Sequence, residues 1–199
     1  MIINEFILES VGATIEHYQP GDFIFSEDDT PKYYYQIING KVKLNNYNSE
    51  GKEILQSILQ YGESIGESLL FMDEHTYPVN AVAINRCKIF KLRKSAFFDL
   101  LEKNPSINME MNRHLSQVLY YKQVMGQILC MHKPIVKIKK LLDFLKSTQI
   151  KKDSFTFQIP LTRQEIANLT GLCVETTIRA VKEMEKQNIV KIRERKILY

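Results

Sequence analysis

The sequence predicts an α+β chain with two unlike halves, and three observations carry the prediction. Residues 14–92 read as short strands separated by turns. Residues 106–132 carry apolar side chains at helical spacing. Residues 162–199 read as two short helices around a glycine turn, followed by a two-stranded ribbon. The first pattern suggests an antiparallel barrel or sandwich. The last is helix-turn-helix spacing with a wing.

In the N-terminal part, HYQPGDFIF gives a Pro-Gly turn followed by alternating apolar residues. YYYQIINGKVKLNNY is two β-rich runs around Asn39-Gly40, a strong hairpin signal. NSEGKE is another turn, EILQSILQYGES a strand with an exit at Gly62, and AVAINRCKIFKL two further strands, for eight or so in all. SAFFDLLEK at 95–103 predicts a short helix capped by Ser95 and ended by Asn104-Pro105.

The long helix follows. Met111, Leu115, Val118, Met125 and Leu129 step by four, three, seven and four, a heptad seam with Lys122 at the skipped position. Leu119 and Ile128 widen the apolar face. Such a seam predicts pairing with a second copy. His132-Lys133-Pro134 ends the helix and suggests a hinge at 130–134. IVKIKKLLDFLKS at 135–147 reads as an amphipathic helix, and FTFQIP as a strand.

Composition bounds the function. The chain has 199 residues, 44% hydrophobic and 25% charged, as in an ordinary soluble protein. The stretch MIINEFILES lacks a basic segment before an apolar core, and no run approaches the roughly 18 residues of a membrane span. The expectation is a cytoplasmic protein with no membrane partner. Cys87, Cys130 and Cys173 are far apart, and His17, His75, His114 and His132 lack ligand spacing, so no metal site is expected. No nucleophile–base pair or phosphate loop points to an enzyme. The net charge of +4 is unevenly distributed: residues 1–104 carry 10 Lys/Arg and 15 Asp/Glu, residues 105–133 carry 3 and 1, and residues 134–199 carry 14 and 7. A basic C-terminal third on an acidic body suggests a polyanion-binding module.

That third carries the clearest motif. Thr162-x-x-Glu165 is a capping box, Ile166, Ala167 and Leu169 face inward, and Gly171 sits in the turn. The second helix, VETTIRAVKEMEKQ, buries Thr177 or Ile178 together with Val181 and Met184. Its first turns offer Val174, Glu175, Ile178 and Arg179 to base edges: Glu175 suits a cytosine amino group and Arg179 a bidentate pair to guanine. Thr162, Arg163, Gln164, Thr176 and the wing residues Arg193 and Arg195 suit phosphates.

With YYYQIINGKVKL, EGKEIL, YGESIGESLLF and FDLLEKNP in the first part, and TRQEIANLTG and VETTIR in the second, the chain resembles the CRP/FNR family of bacterial transcription regulators over nearly its whole length. The resemblance implies an N-terminal double-stranded β-helix or jelly-roll of the cyclic-nucleotide-binding type over 1–105. It further implies a dimerisation helix and hinge over 106–133 and a winged helix-turn-helix over 134–199. The implied partners are double-stranded promoter DNA, a second copy of the chain, and RNA polymerase.

The resemblance also implies an effector cavity at Gly66, Glu67, Ser68, Tyr77, Pro78, Lys122 and Gln123. Glu67 matches the ribose-binding glutamate of cyclic-AMP-binding members, and Gly66 and Ser68 match the sugar-phosphate turn. The phosphate-binding Arg-Ser pair falls on Tyr77 and Pro78, and the Thr-Ser pair that reaches adenine falls on Lys122 and Gln123. Tyr77 and Pro78 carry no positive charge, and a buried phosphate without a cation is costly. Cyclic AMP is therefore not the expected effector. Lys122 suits a different anionic ligand, haem stays open, and no cofactor is identified. The iron–sulfur cysteines of the oxygen-sensing branch have no counterpart before Cys87. The order of Val174, Glu175 and Arg179 resembles that branch, implying half-sites like TTGAT or TTGAC. Cys173 stands where the family often has a phosphate-contacting hydroxyl, and its thiol is a candidate redox switch. The rival of another class is a ligand-binding regulatory subunit acting on a protein partner.

Overall fold

The computed structural model describes residues 2–51, 53–147, 149 and 153–199. The chain divides into two compact units, Met1–Leu119 and Tyr120–Tyr199, so the division falls inside the long helix. Among the described residues no helix is long and apolar enough to cross a membrane.

The first unit is a roll of seven antiparallel strands with helices around it. After α1 (Glu5–Ser10) come β1 (Thr14–Tyr18), β2 (Phe23–Phe25), β3 (Tyr33–Asn39), β4 (Val42–Tyr47), β5 (Glu53–Leu59), β6 (Asn80–Ala83) and β7 (Cys87–Arg93). They form a three-stranded sheet, β1-β7-β3, and a four-stranded sheet, β2-β6-β4-β5. The Asn39-Gly40 hairpin expected from the sequence does not form. β3 pairs with β7 and β4 pairs with β5 and β6, so the dipeptide carries the chain from one sheet to the other. The corner is held by Lys41 N–H donating to Asn85 Oδ1 and Ile84 N–H donating to the Lys41 carbonyl, both at 2.8 Å. Gly40 has φ +99°, and a Cβ there would lie 2.5 Å from Cys87 Sγ, so only glycine fits. The hairpin in this region is β4–β5.

Buried residues lie on both faces of β3 and β7, which explains why YYYQII does not alternate apolar with polar residues. Tyr35, Ile37 and Ile89 join the core between the sheets, with Phe25, Val42, Ile65, Ala81 and Ala83. Tyr34, Phe90 and Leu92 join a second cluster, with Leu8, Phe97, Leu100, Leu101 and Met111. There Tyr34 stacks on Phe97 with centroids 4.5 Å apart. Gln36, fully buried, satisfies the N-terminal segment: its amide accepts from Ile3 N–H at 3.0 Å and donates to Ile3 C=O at 2.8 Å.

α2 (Lys94–Lys103) begins one residue earlier than expected. Its N-cap is Arg93, not Ser95, and no side chain caps it; Lys94 N–H is satisfied by the Lys32 carbonyl instead. α3 (Pro105–Cys130) confirms the long helix, but the heptad seam is not one free stripe. Met111 is buried in its own unit's core and Met125 is buried as well. The exposed apolar residues on α3 are Met109, Leu119, Tyr120 and Leu129.

In the second unit, α4 (Pro134–Ser147) is followed by α5 (Arg163–Thr170), α6 (Val174–Lys186), β8 (Lys191–Arg193) and β9 (Lys196–Leu198). FTFQIP makes an isolated bridge, Gln158 to Leu198, rather than a full strand. Phe157 and Tyr199 exchange backbone hydrogen bonds there, so the segment borders the wing.

Candidate nucleic-acid interface and roll cavity

The capping box fixes the start of α5. Thr162 Oγ1 accepts from Glu165 N–H at 3.1 Å, and Thr162 N–H donates to Glu165 Oε2 at 2.6 Å. Gly171 ends the helix in the left-handed region, φ +66°, and lets the chain reverse into α6. A lysine that the sequence reading passed over completes this corner. Lys137 on α4 is buried, and its ammonium donates to the Thr170 carbonyl at 3.0 Å, placing a cation on the C-terminal end of α5. The only signal available was a lysine on the apolar face of an amphipathic pattern.

α6 buries Thr177, Ala180, Val181 and Met184. Of the two side chains left open by the sequence, Thr177 is the buried one, and its hydroxyl donates to the Cys173 carbonyl at 3.2 Å. Ile178 is 38% exposed. Glu175 and Arg179 are exposed beside it, and Val174 is half-buried. Arg179 Nη2 lies 3.4 Å from Thr176 Oγ1, within hydrogen-bonding range. The four side chains assigned to base edges thus share the opening turns of one helix.

The residues assigned to phosphates separate into two kinds. Arg193 and Arg195 are exposed on the wing, where Glu194 and Arg195 both have positive φ, as a tight two-residue hairpin turn requires. Arg163 is already engaged: its guanidinium donates to the backbone carbonyl of Arg195 and ties the start of α5 to the wing tip. That bond makes Arg163 a brace for the wing as well as a cation near it. Gln164 donates to Asn168 Oδ1 at 2.8 Å. Thr162 keeps its hydroxyl proton, because the cap uses the oxygen as an acceptor. Cys173 is the exposed N-cap of α6; Thr176 Oγ1, 3.0 Å from its sulfur, holds the thiol below its ordinary pKa.

The roll cavity differs from the expectation. Gly66, φ +68°, opens a 3-10 turn over Glu67–Phe71, and the space beside its Cα is already occupied. Tyr77 fills that space. It is 2% exposed and stacks on Phe25 with centroids 3.6 Å apart and planes 9° apart. A Cβ on Gly66 would lie 2.7 Å from Tyr77 Cε1. The Tyr77 hydroxyl is buried without a hydrogen-bond partner among the described residues, and burial raises its pKa above the ordinary range.

Glu67 is buried too, and it is engaged by α3: His114 Nε2 lies 2.9 Å from Glu67 Oε1 and 3.1 Å from Ser64 Oγ. Burial pushes the Glu67 carboxyl up, but the hydrogen bond and charge of His114 bring it below its ordinary value. His114 also borders an outer cleft of about 310 Å³ between Tyr61–Glu63 and α3. Ser68 and Pro78 are exposed. Lys122 and Gln123 belong to the second unit and are exposed on α3. Of the residues assigned to an effector cavity, Tyr77 packs against Gly66 and Phe25 and Glu67 is bound to His114, so these positions are filled by the chain's own side chains.

A roll of this topology followed by a winged helix with an outward polar face defines a two-part DNA-binding regulator. Comparisons with known proteins agree. The family model of the cyclic nucleotide-binding domain matches residues 15–104, and that of the Crp-like helix-turn-helix domain matches residues 138–199. The cAMP-activated global transcriptional regulator CRP of Escherichia coli O157:H7 is 26% identical over 177 residues, covering 88% of this chain and 84% of that protein. The nitrogen fixation regulation protein FixK of Bradyrhizobium diazoefficiens is 24% identical over 188 residues, covering 92% and 76%. Among solved structures, the c-di-GMP responsive regulator CLP of Xanthomonas campestris has a TM-score of 0.77 at 20% identity, covering 98% of both chains. A CooA mutant from Carboxydothermus hydrogenoformans has a TM-score of 0.82 at 15% identity, covering 98% and 87%. The chain belongs to the CRP/FNR family of DNA-binding transcription regulators.

Proposed function

We propose that this chain is a homodimeric regulator that binds promoter DNA without cyclic AMP or another cyclic nucleotide. The observation that carries the reading is Tyr77, whose ring fills the space beside Gly66 and stacks on Phe25. A ligand entering there must displace a buried aromatic side chain, and it finds no cation at Tyr77 or Pro78 to replace the water lost from a phosphate. Glu67, the residue that matches the ribose ligand of relatives, holds His114 on α3 instead. The roll thereby supplies from its own side chains the packing that a ligand would otherwise bring.

Dimerisation through α3 is supported by Leu119, Tyr120 and Leu129, which expose large apolar surface along the helix. The bound form reads DNA with Glu175, Ile178 and Arg179 and anchors on phosphates through Thr162 and the wing cations; RNA polymerase is the partner at the promoter. A dimer measured by light scattering that becomes a monomer in Leu119→Glu supports the interface. An unchanged mass for that variant contradicts it. Thermal shift with a panel of cyclic nucleotides, other nucleotides and haem tests the cavity, since a tight ligand must raise the melting temperature. No rise with any cyclic nucleotide is expected; a rise with cyclic AMP overturns the reading.

A further inference from the structure

Positions 177 and 178 on α6 are the reverse of what packing alone would choose. The buried position holds a threonine whose hydroxyl needs the Cys173 carbonyl, while the neighbouring outward position holds a larger, wholly apolar β-branched residue, isoleucine. A helix optimised only for folding would place the isoleucine inside and the threonine outside. Such local conflicts mark functional positions. The exposed stripe of α6 runs Glu175, Ile178, Arg179 and Lys182, in which Ile178 is the one apolar residue; Val174, one turn earlier, is half-buried.

A base edge in the major groove offers one apolar feature, the 5-methyl group of thymine. The surroundings favour DNA as the occupant: residues 134–199 carry 14 Lys/Arg against 7 Asp/Glu, and Arg179 lies directly beside Ile178. We propose that Ile178 is a specificity-determining residue that reads a thymine methyl group, next to the base pair read by Arg179. The inference rests on the DNA-binding reading and adds to it the base feature recognised.

The test separates the two. An operator is enriched from a random duplex pool with the full-length protein, and each thymine is then replaced in turn by deoxyuridine in both half-sites. That change removes a methyl group and leaves every hydrogen-bonding atom in place. Affinity should fall by about four-fold per half-site at one thymine position, the worth of one buried methyl or methylene. Ile178→Ser should bind the thymine operator more weakly and lose its sensitivity to deoxyuridine at that position. Because Ile178 is exposed, the variant should keep the parent's melting temperature, and Ile178→Val should keep most of the discrimination. Equal binding of thymine and deoxyuridine operators at every position overturns the inference while leaving DNA binding intact. An Ile178→Ser variant as sensitive to deoxyuridine as the parent also overturns it. A pool that enriches no sequence overturns the DNA-binding reading itself.

Discussion

The roll and the winged helix hold their motif residues in opposite ways. In the roll, Tyr77 and Glu67 are 2% and 4% exposed and are engaged by Phe25 and His114. In the winged helix, Glu175, Ile178, Arg179, Arg193 and Arg195 point outward from a core closed by Thr177, Ala180, Val181 and Met184. Both regions carry recognisable family motifs, yet the roll turns Glu67 and Tyr77 inward while the winged helix leaves Glu175, Ile178 and Arg179 open to solvent. A motif names residue types; burial decides whether those residues are available. The contrast can be tested by removing the filler on one side and the readers on the other.

The largest effect is expected at Tyr77. Tyr77→Ala leaves a void beside Phe25 and should lose about 3–5 kcal/mol of stability in denaturant unfolding. p-Cresol, which has the shape of the missing side chain, should restore part of the melting temperature. Tyr77→Phe is the control. It removes only an unpartnered hydroxyl, so stability should stay level or rise by up to about 1 kcal/mol. A large loss in Tyr77→Phe would mean that the hydroxyl has a partner.

On the winged-helix side, Lys137→Met keeps the apolar stem but removes the ammonium from the Thr170 carbonyl. The loss should be about 1–3 kcal/mol, read as a lower unfolding midpoint. Arg179→Ala should leave folding unchanged and weaken operator binding by roughly 1–3 kcal/mol per half-site, relaxing one base position. Unchanged operator affinity in that variant would remove the recognition role from α6.

The smallest effect is a pH dependence in the roll. Glu67 has a depressed carboxyl pKa, so its contribution is present above the unfolded value of about 4.3 and is lost as pH falls through the lower folded value. Glu67→Gln should therefore show a shallower fall in melting temperature below about pH 4.3 than the parent. An equally steep fall would place the acid sensitivity elsewhere, with Glu16, also depressed, the next group to change.

Much of this architecture was legible in the sequence. Local chemistry marked the Thr162–Glu165 capping box, the Gly171 turn, the two helices and the wing, because each depends on residues a few positions apart. What could not be read depends on partners far along the chain. Asn39-Gly40 carries a hairpin signal, but β3 pairs with β7, and β4 lies between β5 and β6. Ser95 has the chemistry of a cap, but the chain arrives from β7 so that Arg93 takes the position and the Lys32 carbonyl serves Lys94. The α3 seam has the right spacing, but Met111 belongs to the roll's own core. Tyr77 was assigned to an effector cavity, while its inward turn onto Phe25 required three-dimensional packing to see.

The most direct test of the central claim is the operator affinity of protein purified free of nucleotide, measured by fluorescence anisotropy with and without saturating cyclic AMP. Equal dissociation constants, with tight binding already present in the nucleotide-free protein, are predicted for a roll filled by Tyr77. A tightening of about ten-fold or more on adding cyclic AMP, equivalent to about 1.4 kcal/mol of coupling, would contradict it.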